Sequence, residues 1–412
     1  MLKLSYHNLQ CKAIIAEFEF AFNNLAVAKP GTTGRAHKVA AAAYLAKCYL
    51  NFGYGDGYEA NTGYDHVDKT MMQKVVEYTD IVKDDQYGYG YLDTYGNIFL
   101  PEYKNSKESI FAVQHSLKED DGTTYGRANW SDMLNGVWKM WSCGWDFHKP
   151  SQNFVNAFRT KNGLPMSDDK TSTNYFDNDH NVILTNGADT KYKYDPRLFH
   201  TVGMPTYPYK YEADFTLTTA NSRNPSTYGY YCSMKEVPQR SKGESYGENT
   251  WQEFGMNDYV LRYSDVMLMR AEALIELDQY NGEAKDIINT LRERAAKDIT
   301  TSSLVGYAKN QCEISQYGSF ASKDEARTAL RWERRLELGL EHHRFFDLRR
   351  WGLLSKTLNE YFQNEVQDEY DGVAYAQYLK DAFFTKGKNE YFPIANNQMN
   401  YVTGLYIQNR NY

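Results

Sequence analysis

At 412 residues the chain is long enough to bury a large core, as one big domain or two closely packed ones. Its net charge of −7, with basic residues scattered and not striped, argues against a nucleic-acid partner. Aromatics make up 15%, and 36 of the residues are Tyr, whose apolar face and hydroxyl suit wet, ring-stacking surfaces.

Residues 1–10 lack the apolar core of a signal peptide, so Cys11 is not expected to carry a lipid. Ile14, Ile15, Phe18, Phe22 and Leu25 then form a helical stripe that stops before Lys29-Pro30-Gly31. An Ala-rich helix is predicted over 40–52, with Cys48 as a small core residue, and a partner helix over 67–82 after a Gly/Tyr-rich loop. Together they make a pair of the tetratricopeptide kind. Residues 109–113, SIFAV, alternate like a short strand.

Residues 116–257 change character, being rich in Gly, Asn, Asp, Thr, Tyr and Trp with little sustained period. A stretch of that length must hold short helices and hairpins. Trp130, Trp138, Trp141 and Trp145 crowd together near Asn129 and Asp132, and Tyr228, Tyr230 and Tyr231 form another cluster. Sugar C–H faces pack on such rings, while sugar hydroxyls want polar neighbours. The expected ligand surface is therefore Trp130, Asp132, Trp138, Trp141, Tyr228 and Tyr230, most other aromatics going to the core.

Helical period returns at Tyr263, with Val266, Met267, Ala271 and Leu274 on one side, and a second helix follows over 283–296. Residues 298–323 read as loop. The stretch 331–352, RWERRLELGLEHHRFFDLRRWG, places Ala329, Trp332, Leu336 and Leu340 on an apolar stripe beside dense charge. Arg334 and Glu337 stand at i,i+3 and are expected to pair. Two readings stay open: a solvated, charge-laced helix, or partly buried guanidinium–carboxylate forks.

No active site is legible. The carboxylate pairs Glu333/Glu337 and Glu337/Glu341 are interleaved with arginines that would keep both acids ionised, which suits structure better than glycoside hydrolysis. Asp120 and Asp121 are a third such carboxylate pair, for which a structural reading is preferred too. His342 and His343 are adjacent, point apart, and have no His or carboxylate companion at ligand spacing. Five cysteines without a CxxC exclude a disulfide framework and a zinc ribbon, leaving one or two bridges open. No apolar run approaches the roughly 18 residues of a membrane span. Neither a metal nor a cofactor is expected.

Glu333, Arg334, Arg335, Glu337, Leu338, Glu341, Arg344, Asp347, Leu348, Arg350 and Trp351 together resemble the C-terminal signature of the SusD/RagB family. His342 departs from it, standing where that signature has Gly. The segments 34–50, 194–198 and 261–273 also resemble the family, so the likeness touches most of the chain. It implies a mostly α, SusD-like fold: a single domain, 1–412, with tetratricopeptide-like helix pairs at 1–115 and 258–412 as scaffold. The loop-rich region 116–257, with its short strands, would carry the ligand. Glu333, Arg334, Glu337, Arg344 and Asp347 would be structural. The resemblance further implies an outer-membrane lipoprotein without catalysis. Such a protein captures oligosaccharides and passes them to a SusC-like TonB-dependent transporter. The alternatives are peptide uptake of the RagB kind or, further off, glycan degradation. Family members begin with a signal, a lipidated cysteine and further helices, so this chain reads as N-terminally truncated, its lipid anchor lying outside it.

Overall fold

The computed structural model describes residues 3–32, 34–55, 67–116, 132–140, 144–180, 191–242, 245–246, 253–301, 306, 308–401, 404, 406–409 and 411–412. Helices α1 (Lys3–Asn24), α2 (Lys38–Gly53) and α3 (Lys69–Lys83) form the N-terminal layer. His37 starts α2: its Nδ1 accepts the Ala40 N–H at 3.2 Å, and its Nε2 meets the Ile110 carbonyl at 2.9 Å. The alanines that follow are buried, which lets α1 and α3 close on α2 from two sides. At the far end Gly53 abuts α3 so tightly that a Cβ there would run into Met72. Ile15, Phe18 and Phe22 hold α1 in place, Phe18 stacking on Tyr44 at 4.8 Å. Ile14, assigned to the same stripe, is exposed.

Strand Ser109–Val113 pairs antiparallel with strand Asp258–Arg262, which runs straight into α4 (Tyr263–Glu276). Every residue of α4 is buried, charged ones included. Each of those charges has a partner from another helix. Asp265 meets Arg334 at 3.1 Å, Arg270 meets Glu283 at 2.8 Å, Glu272 meets Arg350 at 2.8 Å, and Glu276 meets Arg327 at 2.7 Å. Those partners lie on α5 (Glu283–Thr301), α6 (Lys323–Glu337) and α7 (Arg344–Arg350), so charge pairing fixes how the C-terminal helices seat. Helix α8 (Leu354–Glu365) completes the layer. Among the described residues no helix is long and apolar enough to cross a membrane.

The described parts of the middle region pack around small cores of their own. One gathers Phe158, Phe199, Tyr207 and Tyr231 against Trp332 and Leu336 of α6; another gathers Val137, Tyr209, Met234 and Phe254. Its strands are two or three residues long, as in the sheet of Arg159–Lys161 with Leu164–Pro165 and Lys193–Tyr194. Among the described residues, Cys11, Cys48, Cys232 and Cys312 form no disulfide; Cys143 lies outside the described residues.

Within the 331–352 stretch Glu333, Arg334, Glu337 and Asp347 are buried and paired, with one correction to the expected pairing. Arg334 does not bind Glu337. Its guanidinium bridges Asp347 at 2.8 Å and Asp265 at 3.1 Å, while Glu337 takes Arg262 at 2.7 Å and Arg197 at 3.2 Å. Arg197 is itself forked by Asp195 at 2.8 and 2.9 Å, and Glu333 accepts from Arg292 at 3.3 Å. The apolar stripe ends with the helix: Leu340 lies beyond Glu337, and both Leu340 (φ 62) and His342 (φ 64) take the left-handed backbone. Arg344 lines a hollow with Arg331, Arg335 and Asp168. Burial, then the nearby Arg335 charge, pulls its pKa down to about 9.

Candidate functional site

Three chain segments that are remote in sequence converge on one open cavity of about 330 Å³. The first is the 145–151 loop. Asp146 is buried within it and accepts from Lys149 and from the Arg223 backbone N–H, the latter at 2.8 Å. Lys149 also reaches Ser222 at 2.7 Å, and Ser222 donates to the Gly229 carbonyl at 2.7 Å. This chain of bonds staples the loop to the second segment, 222–231.

The third segment spans 361–378. The Glu365 carboxylate accepts the N–H groups of Gln152 and Asn153 at 2.9 and 3.2 Å, tying the end of α8 to the start of the short helix Gln152–Asn156. Further along, the Ala376 N–H reaches the Thr227 carbonyl at 3.0 Å. That bond sets Tyr378 beside Tyr228, with ring centroids 5.5 Å apart. Tyr228 is 49% exposed and Tyr378 58%, so both offer ring faces to solvent.

Arg223 lies at the mouth of the cavity, 4.9 Å from the Trp145 ring and 5.8 Å from that of Phe147, a cation–π arrangement that holds the guanidinium among aromatic faces. Asn224, His148 and Ser151 add polar groups to the lining. Burial, followed by the Asp368 and Asp177 carboxylates, pushes Glu365 well above the usual carboxylate range. Burial and then Asp177 push Asp368 up to about 8. Ring faces beside fixed donors and acceptors suit a neutral, hydroxyl-rich molecule, and the volume falls at the small end of the roughly 300–1,000 Å³ typical of ligand pockets.

Of the residues expected from sequence, Tyr228 lines this cavity. Tyr230 sits one layer back, packed on Tyr370 at 4.5 Å and on the cavity-lining Tyr375 at 5.9 Å. Trp138 is not among the residues that line it; its ring lies 5.7 Å from Arg223, a third ring of the cation–π group. Trp130 and Trp141 lie outside the described residues, as does the side chain of Asp132; Asp120 and Asp121 lie outside them too. Phe147, Arg223, Tyr375, Tyr378 and Glu365 went unrecognised in the sequence. The hollow at Arg331, Arg335 and Arg344, about 170 Å³, is cationic and suits an anion better than a neutral sugar.

Comparison with known proteins matches this architecture. A model of the SusD family covers residues 107–412. SusD-like protein P2 from Formosa agariphila is 31% identical over 142 residues, 32% of this chain and 26% of that protein, so only a minor part of its length is spanned. A SusD homologue from Bacteroides thetaiotaomicron superposes with a TM-score of 0.60 at 20% identity, over 98% of this chain and 70% of that one. A laminarin-binding SusD-like protein gives 0.59 at 20% identity, over 98% and 68%. A protein crystallised with a xylogluco-oligosaccharide gives 0.56 at 20% identity, over 87% and 59%. At that identity the superpositions establish the mostly α, SusD-like fold. Since the family model spans well over half of its length, the chain belongs to the SusD family.

Proposed function

We propose that this protein is a non-catalytic binding protein that captures an oligosaccharide in the cavity between Trp145 and Tyr378. It then passes the sugar to a SusC-like TonB-dependent transporter. The reading places it on the outward face of the outer membrane, as a lipoprotein. One observation carries it: Trp145, Phe147, Tyr228 and Tyr378 meet Arg223 and Asn224 around a single open cavity. Two of the similar structures, the laminarin binder and the xylogluco-oligosaccharide complex, support a glycan as the ligand class.

The way the acids are used supports binding without turnover. Glu333, Glu337 and Glu341 are spent on arginines. The two carboxylates of the cavity, Asp146 and Glu365, are buried and occupied by Lys149 and by backbone N–H groups. Both act as wall supports, and neither stands free as the opposed acid and base of a glycosidase. The test is a glycan and peptide array, followed by incubation with the best ligand and chromatography of the products. Capture of an oligosaccharide that is recovered intact is expected. Capture of peptides alone, or protein-proportional release of shorter sugars, would overturn the reading.

A further inference from the structure

His342, the position at which the C-terminal motif departs from its pattern, has companions that the sequence hides. The His148 ring stacks on it with centroids 4.9 Å apart and planes 11° from parallel. Glu236 faces both: its Oε1 accepts from His148 Nδ1 and lies 3.8 Å from His342 Nε2. One ligand-type atom from each of the three falls within 4.8 Å of the others. Glu236 is held in this pose from behind, because its Oε2 accepts from Asn135 at 3.0 Å and from Ser233 at 3.3 Å. Hydrogen bonds of that kind are the outer-shell support that orients a ligating carboxylate.

We propose that His148, Glu236 and His342 form a binding site for a divalent transition-metal ion of the zinc class. Two imidazoles and one carboxylate make a three-ligand set that leaves at least one coordination position open. Nitrogen donors select against calcium and magnesium, which require oxygen. In a tetrahedral site with bonds of about 2.0–2.2 Å the ligand atoms stand roughly 3.4 Å apart. On loading, the hydrogen-bonded His148–Glu236 pair opens to admit the ion, while the His342 imidazole, 3.8 Å from Glu236, moves inward. His342 supplies that movement, since its side chain is 77% exposed on a turn while Glu236 is 12% exposed and His148 27%.

Backbone geometry supports the same assignment. Both histidines occupy the left-handed region, His148 at φ 54 and His342 at φ 64, where side chains other than Gly and Asn are uncommon. His148 also belongs to the loop that lines the 330 Å³ cavity, whereas His342 follows α6. A bound ion would therefore tie the cavity rim to the helical scaffold. This assignment stands whether or not the cavity takes a sugar.

The experiment titrates the tag-free chain with Zn²⁺ by calorimetry, and with Co²⁺ while following its visible absorption. One ion per chain is expected, with Co²⁺ bands of the intensity given by four- or five-coordinate sites. His342→Gly suits the observed φ and keeps the fold, which a thermal melt checks; it should weaken binding at least ten-fold. His148→Ala and Glu236→Gln should do the same, while His115→Ala, remote from the cluster, should not. The proposal is overturned by absence of one-to-one binding below millimolar Zn²⁺, by unchanged affinity in His342→Gly and His148→Ala, or by Ca²⁺ competing on equal terms.

Discussion

Arg262 and Glu337 are 75 residues apart, yet the guanidinium grips both ends of the glutamate: Nη1 donates to Oε1 at 2.7 Å and Nη2 to the backbone carbonyl at 2.8 Å. The remaining donors go to Glu108 at 3.0 Å and to Glu341 at 2.6 and 3.0 Å. All five N–H groups of a fully buried arginine are thus used, which is the condition under which a charge can be kept out of water. The same guanidinium joins the strand before α4 to the carbonyl end of α6. The family signature is, at this level, a device for seating one helix on another.

Removing one member should then expose the cost of the rest. Glu337→Ala strands Arg262, Arg294 and Arg197 without their shared carboxylate, and a broken buried network of this kind costs about 3–5 kcal/mol. An exposed pair would cost only about 0.2–1 kcal/mol. Denaturant unfolding should show a lower midpoint with an unchanged slope, and the folded fraction should bind ligand as before. Lost binding at unchanged stability would make Glu337 part of a site.

Protonation divides the molecule into two groups with opposite signs. Burial alone would raise the Glu337 carboxyl, but Arg294, Arg262 and Arg197 outweigh it and hold it far below the usual range. Its stabilisation is present above the ordinary carboxylate pKa of about 4 and is lost as pH falls through the folded value. Asp368, raised to about 8 by burial and then by Asp177, behaves the other way. Its contribution is full below about pH 4 and is lost as pH rises through about 8. Asp368→Asn removes that titration while keeping an acceptor for His180, which Asp368 meets at 2.8 Å. The melting temperature of the variant minus that of the parent should therefore climb between pH 4 and 8 and level off above. A flat or falling difference would contradict the assignment.

Asn162 and Gly163 offer a third test. They form the tip of the hairpin between Arg159–Lys161 and Leu164–Pro165, with φ of 54 and 74. A Cβ on Gly163 would lie 2.6 Å from the Ser315 backbone nitrogen, so Gly163→Ala adds a collision with main chain to an unfavourable φ. The expected cost is about 1–3 kcal/mol, read from chemical unfolding. A loss below a few tenths would mean that the hairpin and the 313–315 segment move apart freely.

The helical scaffold was legible because its period runs long. The small residues of 40–52 and the apolar set from Tyr263 both lasted enough turns to be read, and both helices fall within two residues of where they were expected. Pairing was misread for a physical reason. The i,i+3 rule that joins Arg334 to Glu337 holds on a solvated helix face, whereas on buried α6 the partner, Asp265, comes from 69 residues away. In the middle region, strands of two residues never complete an alternation, so no pattern was there to detect. The cavity was half-legible. Tyr228 announced itself in a Tyr cluster, but Tyr375 and Tyr378 sit in a stretch read as scaffold, and nothing local shows that it folds back over 222–231. His342 misled through its neighbour His343, since a companion was sought along the helix when the structure supplies it from 148 and 236.

The exposed rings of the cavity give the sharpest test of where ligand is captured. Tyr228 and Tyr378 stand 5.5 Å apart at its rim and contribute little to the core. A sugar seated between Trp145 and this pair would lose one stacking face with each ring removed. Base–aromatic stacking, taken as the nearest measured scale, is worth about 1–3 kcal/mol per ring. At about 1.4 kcal/mol per tenfold, Tyr228→Ala and Tyr378→Ala should each weaken binding about 5- to 150-fold. Arg223→Ala should also weaken it, by removing the cation that three rings share. Because Tyr228 is 49% exposed and Tyr378 58%, their variants should melt within a few degrees of the parent, whereas Trp138→Ala, outside the lining, should bind as the parent does. Titration of these four variants with the best array ligand, alongside thermal melts, separates the outcomes. Normal binding in both tyrosine variants, or loss confined to Trp138→Ala, would move the capture surface away from this cavity.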